Sequence, residues 1–232
     1  ALNEEPKFHR VVPVKETISV NMEVHPYESA SEIVNQSRAW GVMDCICRKQ
    51  KALLGEPCDH PLEMCMVFSP VAGAFDHSDT IRALSQEQAL ETLHKAAQAG
   101  LVHTVSNTRA GNHYICNCCT CSCGILRGMA DMGIANVVAR SAFVNKVDEE
   151  LCMACETCVE YCQFEALHLE HALMQVDTIR CVGCGVCVPA CPEAALALVR
   201  RPESEILPVP ESEDVWLEER AMARGIDINR VL

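Results

Sequence analysis

Before the first helical stretch, apolar side chains partly alternate with polar ones: Val11, Val12 and Val14, then Ile18, Val20, Met22 and Val24. Period-two alternation of β-branched residues predicts extended strands, and Pro13 confines the first of them to a sheet edge. From Ser29 to about Ala39 the spacing becomes helical. Ala30, Ile33, Val34 and Ser37 fall on one face, and Gly41 is placed to stop the helix. Val42 to Arg48 reads as a short strand, followed by a polar loop through Gly55, Pro57, His60 and Pro61. Residues 85–100 carry the clearest helical signal in the chain. Ser85 and Gln88 form a capping box, Leu84, Leu90, Leu93, Ala96 and Ala97 supply the buried face, and Gly100 ends it. Leu101 to Val105 and His113 to Ile115 then predict a hairpin. Helix, helix and hairpin together predict a winged-helix-like module.

Residues 124–146 read as a connector, with Met129 and Met132 as core fillers and Ile134 to Val147 apolar enough to pack between domains. After Arg201 the pattern dissolves. Pro202, Pro208 and Pro210 interrupt a run of glutamates, as in an extended linker. Ser212 caps a last helix, Glu213 to Arg224, closed by Gly225 and made apolar on one side by Val215, Trp216 and Met222. Such a helix either folds back on its own domain or docks on a partner subunit.

Composition changes this picture at one residue type. The chain of 232 residues holds 17 cysteines. The odd count and the CxC and CC spacings argue against a disulfide framework, and a reducing, cytoplasmic compartment is expected. Cys152, Cys155 and Cys158 follow one another at two-residue gaps, with Cys162 after three more; Cys181, Cys184, Cys187 and Cys191 repeat the spacing position for position. The repeat continues, in the same register, in Ala166 to Leu169 against Ala195 to Leu198. A four-iron, four-sulfur cube needs one thiolate per iron. Three closely spaced thiols take three corners, and in this spacing the last cysteine of each run serves the other run's cube. Two [4Fe-4S] clusters are therefore expected, one on Cys152, Cys155, Cys158 and Cys191, the other on Cys181, Cys184, Cys187 and Cys162. Paired CxxC motifs also bind structural zinc, the plainer alternative.

Residues 144–200 resemble the bacterial two-cluster ferredoxins. The resemblance implies a pseudo-twofold βαβ-type repeat in which each half gives one strand and one short helix. Gln163 stands where that family has proline, which is expected to loosen the turn after Cys162.

Nine further cysteines lie upstream: Cys45, Cys47, Cys58, Cys65, Cys116, Cys118, Cys119, Cys121 and Cys123. Five thiols between Cys116 and Cys123 would repel and oxidise if left bare, so metal binding is the economical reading. Cys45, Cys47, Cys58 and Cys65 make one candidate set, and Cys116, Cys118, Cys121 and Cys123 another; mixed sets remain open, with His60 or His113 replacing a thiolate. One or two additional iron–sulfur clusters are expected. The motifs CxCR, PCDHPLEMC, GLVH and ICNCC resemble a cysteine-rich region found beside ferredoxin modules in iron–sulfur proteins of anaerobes, over residues 10–129.

The expected fold class is α+β: a winged-helix-like cysteine-rich domain over residues 1–129, a two-cluster ferredoxin domain over 130–200, and a tail with a docking helix over 201–232. The formal charge of −13 disfavours nucleic acid and suits docking on basic patches of a redox partner. No apolar run approaches the ~20 residues of a membrane span. With no catalytic Ser/His/Asp set, phosphate loop or dinucleotide fingerprint, no catalytic residue is assigned and a small-molecule substrate is disfavoured. The leading expectation is an electron-transfer subunit of a larger oxidoreductase complex. Two others are an N-terminal iron–sulfur site that binds or reduces a substrate, and a redox-sensing regulator.

Overall fold

The computed structural model describes residues 4–19, 22–128, 134 and 137–228, so Val20, Met129 and Met132 lie outside the described residues. Six strands share one antiparallel sheet in the order β1-β5-β6-β3-β2-β4. They are β1 His9–Val11, β2 Ala39–Asp44, β3 Glu63–Ser69, β4 Arg82–Leu84, β5 Val102–Ser106 and β6 Tyr114–Cys118. As Pro13 required, β1 lies at an edge.

Because side chains alternate along a strand, each strand sorts its residues onto two faces. Met66, Phe68, Val105 and Ile115 point to one face, where they pack on Ile33 and Val34 of α1 (Ala30–Asn35) and Ala89 and Leu93 of α3 (Gln86–Gln98). Val102, Cys116 and Cys118 fall on the opposite face, against Leu126, Val137, Val138, Phe164 and Val182. Val137 and Val138 of the connector thus pack between the sheet and the segments that carry Phe164 and Val182.

Helix α3 forms as its capping box dictates. Gln88 N–H donates to Ser85 Oγ (3.2 Å), Ser85 N–H donates to Gln88 Oε1 (2.9 Å), and Gly100 takes φ +70°. Elsewhere the structure departs from expectation. Helix α1 ends at Asn35, where Trp40 Nε1 donates to the Val34 carbonyl (2.8 Å), and Gly41 is a strand residue. A β-carbon there would collide with Ile81 and press on Val67 and Phe75, so packing rather than chain termination requires the glycine. The CxC pair does not end a strand. Cys45 is the N-cap of an unforeseen helix, α2 Ile46–Leu53, which carries Cys47. Nor do the described residues form a winged-helix-like module: the β5–β6 hairpin is present, but as part of the broad sheet, and its two helices cover one face of it.

In the second part of the chain, β7 (Phe143–Val147) pairs with β10 (Leu196–Arg200), and β8 (Leu167–Glu170) pairs with β9 (Leu173–Val176). Only the first half has its expected short helix, α4 Thr157–Glu160; the matching stretch of the second half is a run of turns.

The N-terminal arm stitches the parts together. Val11 N–H donates to Ala139 O (3.0 Å), Ala139 N–H to His9 O (2.8 Å) and Ser19 N–H to Leu198 O (2.9 Å). The tail helix α5 (Glu213–Ala223) folds back on the same arm. Trp216 Nε1 donates to Lys7 O (2.8 Å), its ring stands 5.3 Å from Phe8, and the Arg220 guanidinium lies 4.1 Å over Phe8. Among the described residues no helix is long and apolar enough to cross a membrane.

Candidate metal centres

The two cysteine runs are built alike down to single hydrogen bonds. Asp148 Oδ1 accepts from Glu150 N–H (3.0 Å) and Leu151 N–H (3.4 Å); at the equivalent point of the second run, Asp177 Oδ1 accepts from Ile179 N–H (2.8 Å) and Arg180 N–H (3.1 Å). These are Asx turns, in which a short carboxylate holds the backbone bent immediately before the first cysteine. The loops then enter left-handed conformation at matching places: Ala154 (φ +54°) with Gly183 (+68°), Glu156 (+60°) with Gly185 (+76°), and Glu165 (+51°) with Ala194 (+51°). The strand register repeats too. Leu196 faces Val147 across β10–β7, and Leu167 faces Val176 across β8–β9.

The thiols fall into two crossed groups. Cys158 has the charges of Cys191, Cys155 and Cys152 as neighbours, and Cys184 those of Cys181 and Cys162. Each crossing thiol receives a backbone donor. Ala166 N–H reaches Cys162 Sγ and Ala195 N–H reaches Cys191 Sγ, both at 3.3 Å, while Asn145 Nδ2 donates to Cys187 Sγ at 3.0 Å. Burial pushes Cys158 up to about 11 and Cys184 to about 12, and raises Cys187 as well, with neighbouring thiolate charge acting the same way. As bare thiols these groups hold their protons; a bound iron would supply the positive charge that favours the thiolates. Cys155 is the exception. It is exposed, and hydrogen bonds from Thr157 draw its pKa down.

The family model for the 4Fe-4S binding domain matches residues 145–168 and again 174–197. This stretch is similar to 4Fe-4S binding domains. A comparison of the chain with curated proteins finds no match. The match supports [4Fe-4S] clusters and iron–sulfur electron transfer, and the donor set fits: each matched segment supplies closely spaced thiols and a backbone N–H aimed at the last of them.

The upstream thiols regroup relative to the sequence expectation. Cys65 on β3 and Cys116 and Cys118 on β6 share the sheet face that packs on Phe164 and Val182. Electrostatic neighbours run from Cys45 to Cys65, on to Cys116, Cys118 and Cys123, and finally to Cys47. Cys58, Cys119 and Cys121 stand apart from that line with His60, their four ligand atoms lying within 4.8 Å of one another. Both expected sets are therefore divided: Cys58 leaves Cys45, Cys47 and Cys65, and Cys121 leaves Cys116, Cys118 and Cys123. His113 is exposed and joins neither group.

The electrostatics of the two groups differ. At Cys65 the hydrogen bond with Cys116 lowers the pKa, but the bond with Cys45 and burial outweigh it and carry it to about 12. At Cys58 burial is opposed by hydrogen bonds from Ser122, His60 and Cys121, which together bring it down to about 6. Between the groups lies Arg48, 3% exposed, donating to Pro61 O (2.8 Å) and Asn117 O (2.7 Å) with Cys119, Cys45 and Cys58 around it. A buried cation offsets the negative charge that clustered thiolates bring.

Gln163 joins the two regions. Thr120 N–H donates to its Oε1 (2.7 Å), and its Nε2 donates to Gly100 O and, at 3.4 Å, to Cys118 O. Far from merely loosening a turn, it clamps the upstream cysteine loop beside Cys162. Arg48, Asn145 and the Gln163 contacts were invisible in the sequence, whereas Asp148 and Asp177 were legible as an extension of the internal repeat.

Proposed function

We propose that the chain relays single electrons through a line of iron–sulfur clusters running from the exposed Cys155 loop to the thiol-bearing face of the upstream sheet. Cys152, Cys155, Cys158 and Cys191 would hold one [4Fe-4S] cluster, and Cys181, Cys184, Cys187 and Cys162 the other. The recurrence of turns, dihedrals and register from the first run to the second supports a pseudo-twofold relation between the halves. One further cluster would sit among Cys45, Cys47, Cys65, Cys116, Cys118 and Cys123, which are enough thiols for four ligands and two supporting groups.

One observation carries this reading: Cys162 and Cys184 share a single apolar cluster with Cys116, Cys118 and Cys123. Short, dry separation is what a relay between redox centres needs. The upstream residues 1–129, the 4Fe-4S region 130–200 and the tail 201–232 would then act as one body, held by the N-terminal arm. The acidic surface suits a basic redox partner, in keeping with a cytoplasmic subunit of an oxidoreductase complex.

Iron and sulfide counts on anaerobically purified chain, with paramagnetic resonance of the dithionite-reduced form, test it. The expected count is about twelve irons, four per cube. Cys191→Ser should perturb the cluster of the first run and Cys162→Ser that of the second. A count of about eight irons would remove the upstream extension of the relay. The opposite assignment of the two serine variants would refute the crossed ligand sets.

A further inference from the structure

We propose that Cys58, Cys119, Cys121 and His60 hold one zinc ion, a mononuclear structural centre separate from every iron–sulfur cluster. Two short loops each present ligands at a two-residue interval: Cys58 and His60 from the turn after α2, Cys119 and Cys121 from the loop after β6. Like two claws, they close on one point. Cys58 Sγ lies 4.0 Å from Cys119 Sγ, and Cys121 Sγ lies 3.6 Å from His60 Nδ1.

Those separations select the kind of metal group. Tetrahedral zinc, with bonds of about 2.3 Å to sulfur and about 2.0 Å to nitrogen, places its ligands roughly 3.5–3.8 Å apart. A cube gives each thiolate its own iron, so its ligands stand farther apart than ligands sharing one ion. Accordingly, among the described residues, none of the cysteines matched by the 4Fe-4S model falls in a group with all ligand atoms within 4.8 Å. The ligand chemistry agrees. Three thiolates and one imidazole form a closed tetrahedral set with no open position, the mark of structural zinc.

The surroundings complete a supporting layer. Ser122 Oγ donates to Cys58 Sγ at 3.2 Å. Three thiolates on a divalent ion leave one negative charge, and the buried Arg48 guanidinium beside Cys119 and Cys58 matches it. The centre pins the α2 turn to the β6 loop.

Elemental analysis and zinc-edge X-ray absorption on the anaerobically purified full chain test the proposal. One zinc per chain is expected, with three sulfurs at about 2.3 Å and one nitrogen at about 2.0–2.1 Å. The double variant His60→Ala, Cys121→Ser should retain at least tenfold less zinc after dialysis against a weak chelator, with iron and sulfide per chain unchanged. Loss of several irons in that variant, or absence of zinc from the wild type, would overturn the zinc centre. Should the variant not fold, the wild-type absorption spectrum decides alone: an oxygen-rich zinc shell also overturns it. The relay stands or falls on the iron and sulfide count, so the two outcomes are read separately.

Discussion

Asn145 shows how much one side chain can set. Its amide donates to Cys187 Sγ at 3.0 Å from a site 5% exposed. A donor to a ligand sulfur favours the more negative, reduced state, and so raises the reduction potential. Asn145→Leu should lower the potential of the cluster that Cys187 is proposed to hold by on the order of tens of millivolts, with iron content unchanged. A redox titration followed by paramagnetic resonance measures it, and an unchanged midpoint would rule the donor out as a tuning group. Gln163 is the second such residue. Replacing it with alanine removes the acceptor for Thr120 N–H and the donor to Gly100 and Cys118, at a cost of about 1–3 kcal/mol. Gln163→Pro should cost as much, because the side chain's value here lies in its contacts with Gly100, Cys118 and Thr120. Urea denaturation of both variants reads this directly.

At the scale of elements, the two cysteine loops need the same backbone shape but fill it differently. Gly183 and Ala154 occupy equivalent left-handed positions. At Gly183 a β-carbon would strike the Phe143 carbonyl and Ser141 Oγ, while Ala154 already carries one. Gly183→Ala should therefore destabilise by about 2 kcal/mol or more, and Ala154→Gly should be tolerated to within about 1 kcal/mol. Equal thermal shifts for the two variants would contradict this difference in surroundings. The loops were readable from sequence because cysteine spacing is dictated by the metal group, and α3 because its cap and apolar face agree. Helix α2 was not readable, for a physical reason. It turns Ile46 (70%) and Leu53 (89%) outward and buries Arg48, so the face that packs is not the apolar one that a pattern reading selects. Nor could spacing reveal the upstream ligand groups, since strand register and the α2 turn decide which thiols meet. The six-stranded sheet depends on pairings between segments distant in sequence, such as His9 with Ser106 across β1 and β5, which local pattern does not encode.

The whole molecule hangs on the N-terminal arm, and the arm carries a titratable group. His9 on β1 accepts or donates at Tyr114 Oη (3.0 Å) and Thr104 Oγ1 (3.4 Å), and burial lowers its pKa to about 4. The unfolded chain therefore takes up a proton before the folded one does. Stability from a neutral His9 is complete above the unfolded value near 6.5 and is lost as pH falls toward 4. Between pH 7.5 and 5 the loss should be about 2 kcal/mol. Urea titrations of the wild type and His9→Gln isolate it, because acid damage to iron–sulfur groups is common to both; identical pH slopes would discount His9. The asymmetry of the two cysteine runs has an outcome of its own. Cys155 stands at the surface while Cys181 and Cys187 are enclosed. The corner open to a redox partner is equally open to dioxygen. In air, corrosion should begin at the first run and reach the sheltered one last, so a briefly aerated sample keeps the half of the relay nearest the sheet.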